Sequence, residues 1–329
     1  MKKSLITIAL LTTITVTGCG NSASQSKKSP IDKISNAKPV TNIKTLTAAS
    51  HNSKNNKINT SSNKNTSNNS DDKEEADDEE TTALPDISKI NINVDKSKLS
   101  TAEKGWYYEI KKDGTPSGEP QAIKDLLTKY SGYYLGDTSK KIIYLTFDEG
   151  YENGYSSKIL DILKENNVKA AFFVTTPYIN TNKDLIKRMT AEGHLVCNHS
   201  TSHPSMAGIT DEEKFEKEFT TCASAYENVT GQKMPLFFRP PMGKYSELSL
   251  YYTQKLGYRS VFWSFAYSDW DQKKQPTHEY AKRVIMERTH PGEICLLHAV
   301  SKTNAEILDS VIKEWKSKGF EFKTLNDLP

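Results

Sequence analysis

Ile142-Ile143-Tyr144-Leu145-Thr146-Phe147-Asp148-Glu149-Gly150 decides the fold. An uncharged run rich in β-branched and aromatic residues reads as a strand buried on both faces, and it ends abruptly in two acids and a glycine. Residues 156–165 then show helical periodicity, and Ala170-Ala171-Phe172-Phe173-Val174 reads as a second buried strand. A strand, a helix and a strand in succession imply parallel pairing. The alternation continues outward with a helix at 185–192 and short strands at 195–197, 236–239, 260–263 and 294–297. Further helices are expected after Thr210-Asp211-Glu212-Glu213, a capping-box pattern, and at 246–256, 277–289 and 305–318. The number of such units suits closure into a barrel better than an open sheet, and a barrel carries its chemistry at the C-terminal strand ends.

The flanks differ in kind. Only 36% of the chain is hydrophobic, and the deficit lies before about residue 95. There Ser, Asn, Thr and Lys predominate and too little apolar surface exists to offset ordering entropy. The acidic run at 71–80 reads as a solvated spacer. Met1-Lys2-Lys3 followed by an apolar stretch at 5–16 has the form of an export signal. Its end, Val16-Thr17-Gly18-Cys19, resembles a bacterial lipobox, which implies lipidation of Cys19 and a membrane anchor on the cell-wall side; the alternative is an ordinary cleaved signal. The expected organisation is a signal at 1–19, a low-complexity linker at 20–95, a small extension at 96–139 and a catalytic domain at 140–329. In the extension, Trp106-Tyr107-Tyr108 precede a turn at Asp113-Gly114 and a helix at 121–130, a segment too short to fold alone. With 44 basic and 41 acidic residues the net charge is +3, which argues against a nucleic-acid partner. Beyond Cys19, the odd set Cys197, Cys222 and Cys295 describes no disulfide framework, and Cys197 and Cys295 read as buried thiols.

Polar residues cluster where strands end. Asp148 and Glu149 follow the first strand, His199 and His203 the third, Arg239 the fourth, Asp269-Trp270 the fifth, and His298 the last. The i, i+4 spacing of His199 and His203 would aim two imidazoles at one point if the segment forms a helical turn, a geometry suited to Zn²⁺ or a similar divalent ion. Adjacent residues on a regular strand face opposite ways, so Asp148 and Glu149 can share a site only if Gly150 turns the chain. One acid would then ligate the ion and the other take a proton from water.

Together Thr146-Phe147-Asp148-Glu149-Gly150, Asn198-His199-Ser200-x-x-His203, Arg239-x-Pro241-x-Gly243, Asp269-Trp270 and Leu296-Leu297-His298 resemble the ordered motifs of the NodB-homology polysaccharide deacetylases, carbohydrate esterase family 4. Tyr151-Glu152-Asn153-Gly154-Tyr155, Phe262-Trp263-Ser264 and His290-Pro291-Gly292 are similar to the delta-lactam-biosynthetic branch of that family. The resemblance implies a distorted, incomplete TIM-like (β/α) barrel and a metal-dependent de-N-acetylase of peptidoglycan. It implies peptide-stripped N-acetylmuramic acid as substrate, freed to close as a muramic δ-lactam in spore cortex. By the same resemblance Asp148 is the general base, Arg239 its orienting partner and His298 the general acid, with Asp269 beside it. His199 and His203 are metal ligands, the Met242 N–H is an oxyanion donor, and Trp270 contacts substrate. Glu149 departs from the family's usual second aspartate, which leaves its ligation open. The rival readings are an N-acetylglucosamine deacetylase, a non-catalytic glycan-binding lipoprotein, and a glycosidase using Asp148 and Asp269.

Overall fold

A computed structural model of the chain describes residues 94–329. The expected signal, Cys19 and nearly all of the linker lie outside the described residues. The first described elements belong to the extension: β1 (Lys104–Gly105) and α1 (Gln121–Lys129). The barrel chain then runs β2 (Ile142–Glu149), α2 (Ser156–Glu165), β3 (Ala171–Val174), α3 (Thr176–Thr181), α4 (Lys183–Ala191), β4 (Leu195–Asn198), α5 (Glu212–Thr230) and β5 (Phe237–Phe238). It closes with β6 (Lys244–Tyr245), α6 (Glu247–Lys255), β7 (Arg259–Ser260), α7 (His278–Arg288), β8 (Glu293–His298), α8 (Lys302–Ser317) and β9 (Glu321–Phe322). The strands pair in the order β7-β5-β4-β3-β2-β8, with β9 also on β2, and every ladder among them is parallel. This is the curled, incomplete barrel sheet that the sequence implied.

The period of two along β2 sorts its side chains into two cores. Ile143, Leu145 and Phe147 pack with Leu160 and Leu163 of α2 and Val311 and Trp315 of α8, whereas Ile142 and Tyr144 face Phe173, Cys197, Val261 and Ile294 in the interior. The strand stays regular through Glu149. No turn therefore brings Glu149 round to join Asp148: Asp148 continues the interior set and Glu149 the helix-facing set.

Three expectations need correcting in detail. A short helix, α3, precedes the one read at 185–192, and Pro177 near its start fits a first helical turn. The cap of α5 is Asp211, whose side chain accepts from Lys214 N, so Thr210 forms no capping box. Residues 260–263 form little strand, with β7 ending at Ser260 and Val261 only bridging to Tyr133. The thiols of Cys197, Cys222 and Cys295 are all free and buried.

The extension is fastened across the strand ends. β1 pairs antiparallel with β6, and the Trp106 ring stacks on Phe262 at 4.4 Å while its Nε1 donates to the Trp263 carbonyl at 2.9 Å. Tyr108 Oη accepts from Ala266 N at 2.8 Å and donates to Ala266 O at 3.1 Å. Trp106 and Tyr108 thus brace the walls of the cavity below, and of the three aromatic residues in this stretch only Tyr107, 73% exposed, faces solvent.

Candidate active site

A cavity of about 720 Å³ opens at the C-terminal strand ends, lined by Asp148, His199, His203, Met242, Trp270 and His298 among others. Its walls follow from the topology. The in-register pairing of Asp148 with His298 sets the first acid and the last histidine side by side on β2 and β8, and β4 delivers His199 on the other side through β3.

Arg239 follows β5 and is fully buried. Its Nη1 donates to Asp148 Oδ1 at 2.7 Å, and its Nε and Nη2 donate to the carbonyls of Val261 and Phe262 at 3.0 and 3.4 Å. Its guanidinium also lies 4.2 Å from the Phe173 ring centre, a stacking that a planar, weakly hydrated cation tolerates. Burial works to raise the Asp148 pKa, but the charge of Arg239, helped by His199 and His298, outweighs it and holds the carboxyl below its ordinary value.

His199 and His203 do meet, their ring centres 4.9 Å apart, although not on a helical turn. The segment is a loop in which Ser200 and His203 both take positive φ, 71° and 58°, conformations that L-residues occupy at a cost. The loop is held by Glu218 of α5, which no motif signalled and which accepts from Thr201 N and Ser202 N at 2.9 and 2.8 Å, and by Ser200 of the motif itself, whose Oγ accepts from His203 N at 2.9 Å. His199 Nδ1 donates to the Arg239 carbonyl at 2.8 Å. That bond fixes the tautomer, since a carbonyl only accepts, and leaves the Nε2 lone pair facing Asp148 Oδ2 at 3.7 Å. Burial lowers the His199 pKa to about 4 against the pull of Asp148, and burial lowers that of His203 too, so both rings are neutral donors near neutrality.

His298 is the opposite case. Its Nδ1 contacts Asp269 Oδ1 at 2.7 Å, and although burial opposes the charge, Asp269 and then Asp148 raise its pKa above the ordinary value. Met242 takes φ 59°, and its N–H, which donates to no described acceptor, stands beside the cavity. Gly243 also has positive φ, and a Cβ there would come within 2.9 Å of Trp263 and 3.0 Å of Trp106. Trp270, 58% exposed, and Tyr151, 52% exposed, form the rim.

Glu149 is not part of this assembly. It is fully buried on the helix side of β2 with no hydrogen bond to either carboxyl oxygen. Burial first, then the nearby charges of Glu152 and Asp148, push its pKa well above the ordinary range. Lys244 pairs with Glu103 at 2.7 Å, and neither it nor Arg259 lines the cavity.

The polysaccharide deacetylase family profile matches residues 135–261. An uncharacterised 30.6 kDa protein of Geobacillus stearothermophilus is 48% identical over 223 residues, 68% of this chain and 84% of that protein. The peptidoglycan-N-acetylmuramic acid deacetylase PdaA of Bacillus subtilis is 41% identical with the same coverage. The chain belongs to the polysaccharide deacetylase family. The solved structure of PdaA, a family 4 carbohydrate esterase, superimposes with TM-score 0.68 at 40% identity, covering 70% of this chain and 98% of that one. A peptidoglycan-N-acetylglucosamine deacetylase of Bacillus cereus is 30% identical over 60% of this chain and 71% of its own length. As a family member the chain is a hydrolase of amide C–N bonds, and a carboxylate and three imidazoles line its cavity.

Proposed function

We propose that this protein removes the acetyl group from N-acetylmuramic acid of peptidoglycan whose stem peptide has been taken off, freeing an amine that closes on the lactyl carboxylate as a muramic δ-lactam in spore cortex. The observation that carries the substrate is the 41% identity to PdaA along 84% of that enzyme, against 30% to the N-acetylglucosamine deacetylase. The geometry supports the chemistry. Asp148, oriented by Arg239, takes a proton from the attacking water; the Met242 N–H faces the developing oxyanion; His298, biased towards its protonated form by Asp269, gives a proton to the leaving amine. Trp270 offers a face to the acetyl group or sugar.

Among the described residues no cluster of three or more His, Cys, Asp or Glu is preformed for an ion. The donors present nonetheless suit a divalent metal such as Zn²⁺: His199 and His203 are neutral, and the His199 tautomer leaves Nε2 free. These imidazoles would hold the ion, with Glu149 excluded by its side of the strand. Bound there, the ion would lower the pKa of water and polarise the acetyl carbonyl. Export and tethering through a lipid on Cys19 complete the proposal, supported by the signal and lipobox pattern, and would put the enzyme against its wall substrate.

The experiment offers peptide-stripped muramyl glycan, intact peptidoglycan and N-acetylglucosamine oligomers to the protein, before and after chelation and resupply of Zn²⁺ or Co²⁺, with products read by mass spectrometry. Acetate loss confined to peptide-free muramic acid, abolished by chelation and restored by metal, is expected. Efficient deacetylation of the glucosamine oligomers with muramic acid untouched would overturn the substrate, and full activity after chelation the metal.

A further inference from the structure

Behind His298, the first turn of α8 supplies a side chain that no sequence motif singled out. Asn304 is 1% exposed. Its Nδ2 donates to Asp269 Oδ2 at 2.6 Å and to the His298 carbonyl at 3.2 Å, and its Oδ1 accepts from the Tyr267 hydroxyl. These partners fix the amide's orientation, because a carboxylate and a carbonyl only accept, and a flipped amide would set its oxygen against both. Asp269 Oδ2 accepts from His298 N as well, at 2.8 Å. With that oxygen held from two sides, Oδ1 is left to meet His298 Nδ1, and Nε2 remains as the nitrogen free to act.

The turn that carries Asn304 is itself latched to the Asp269 segment. Ser301 Oγ accepts from Asn304 N at 3.2 Å and donates to Gln275 Oε1 at 2.7 Å, while Gln275 Nε2 donates to the Asp269 carbonyl at 2.9 Å. Helix, loop and acid are therefore joined by one chain of hydrogen bonds.

We infer that Asn304 is a positioning residue for the general acid: by pinning one oxygen of Asp269 it presents the other to His298, and so sets the pH range over which the imidazole holds the proton that the leaving amine requires. The inference rests on the acid role proposed for His298. Without the Nδ2 donor the Asp269 carboxylate can rotate, its contact with Nδ1 loosens, and the imidazolium loses stabilisation. Losing one charge-assisted hydrogen bond predicts a fall in kcat on the order of 10- to 100-fold.

The test follows kcat and KM against pH on peptide-stripped muramyl glycan for Asn304→Leu and Asn304→Asp, with the melting temperature of each. Asn304→Leu is expected to lower kcat by that factor, leave KM within about twofold and move the basic limb of the profile to lower pH. Asn304→Asp keeps the shape and carries the test should the leucine variant not fold. Its introduced carboxyl, once ionised, cannot donate to Asp269, so kcat is expected to fall, while its added negative charge beside the imidazolium moves the basic limb to higher pH. Folded variants whose basic limb stays in place, whether or not kcat and KM fall, would overturn the inference. His298→Ala, run alongside, separates the two layers. If it keeps wild-type turnover, the acid assignment falls and takes the inference with it; if it is inactive while both Asn304 variants keep the wild-type limb, the inference alone falls.

Discussion

Glu149 offers the sharpest test of how this site is built. Asp148 and Glu149 are neighbours, yet the strand sends one to the cavity and the other into the helix layer, where neither carboxyl oxygen has a hydrogen-bond partner. Burial, Glu152 and Asp148 together push its pKa well above the ordinary value. The folded protein then binds a proton that the unfolded chain releases above about pH 4.3. Because the native state holds more protons, stability is fully present below that pH and is lost as pH rises towards the folded pKa. The loss is about 1.4 kcal/mol for each pH unit over which Glu149 stays protonated, with a ceiling of about 4 kcal/mol at pH 7.

Glu149→Gln keeps the shape and removes the ionisation. Equilibrium urea unfolding at pH 4, 5.5, 7 and 8 should show the variant close to wild type at pH 4 and increasingly more stable as pH rises above it. Deacetylation and metal affinity, the latter read by titration calorimetry, should be unchanged. A stability difference flat with pH would refute the account of the buried carboxyl. A marked loss of metal affinity would refute its placement outside the site, since it would mean that the side chain reaches the ion.

The other predictions concern the base and the anchor. Asp148→Asn should fold yet lose kcat by on the order of 10² to 10⁴-fold, because the asparagine cannot accept the proton; near wild-type acetate release would remove Asp148 from that role. It should also destabilise the protein, since Arg239 would be left buried without its carboxylate, which urea unfolding at pH 7 would register. For the anchor, labelled palmitate should be incorporated by cells expressing the chain and not by those expressing Cys19→Ala; equal labelling would place the lipid elsewhere or dispense with it.

What the sequence made legible was whatever depends on local order. The uncharged run at β2 followed by acids, and most of the helix-strand alternation, are patterns of period two or 3.6 and appear where expected, apart from the added α3 and the short β7. Asp148, His199, His203, Arg239, Asp269 and His298 do converge, and the motif resemblance supplied their roles. Less legible was anything set by long-range contact. The meeting of His199 and His203 depends on positive φ at two non-glycine residues and on Glu218, which lies on another element. Asn304 and Tyr267 are common residue types whose partners lie 35 to 37 positions apart in the chain, so no periodicity announces them. Glu149 shows the reverse error, for the strand rule already assigned it the far face and only the assumption of a turn at Gly150 brought it back.

The two groups proposed to transfer protons, Asp148 and His298, are governed by different parts of the fold. A buried carboxylate ordinarily resists ionisation, but Arg239 stands within 2.7 Å, with its remaining donors directed to the Val261 and Phe262 carbonyls and its face against Phe173. Desolvation of the guanidinium is thus met by groups that do not compete for Asp148, and the charge of Arg239 holds the Asp148 carboxyl below its ordinary pKa. His298 moves the other way, raised by Asp269 and then Asp148. With Asp148 as the proposed base and His298 as the proposed acid, the two shifts widen the interval in which both are in their working forms. The acid edge of that interval lies with the ion pair at the ends of β2 and β5. On the same proposal its basic edge lies with Asp269, and hence with the loop before α7 and the first turn of α8, whose Gln275 and Asn304 hold that acid.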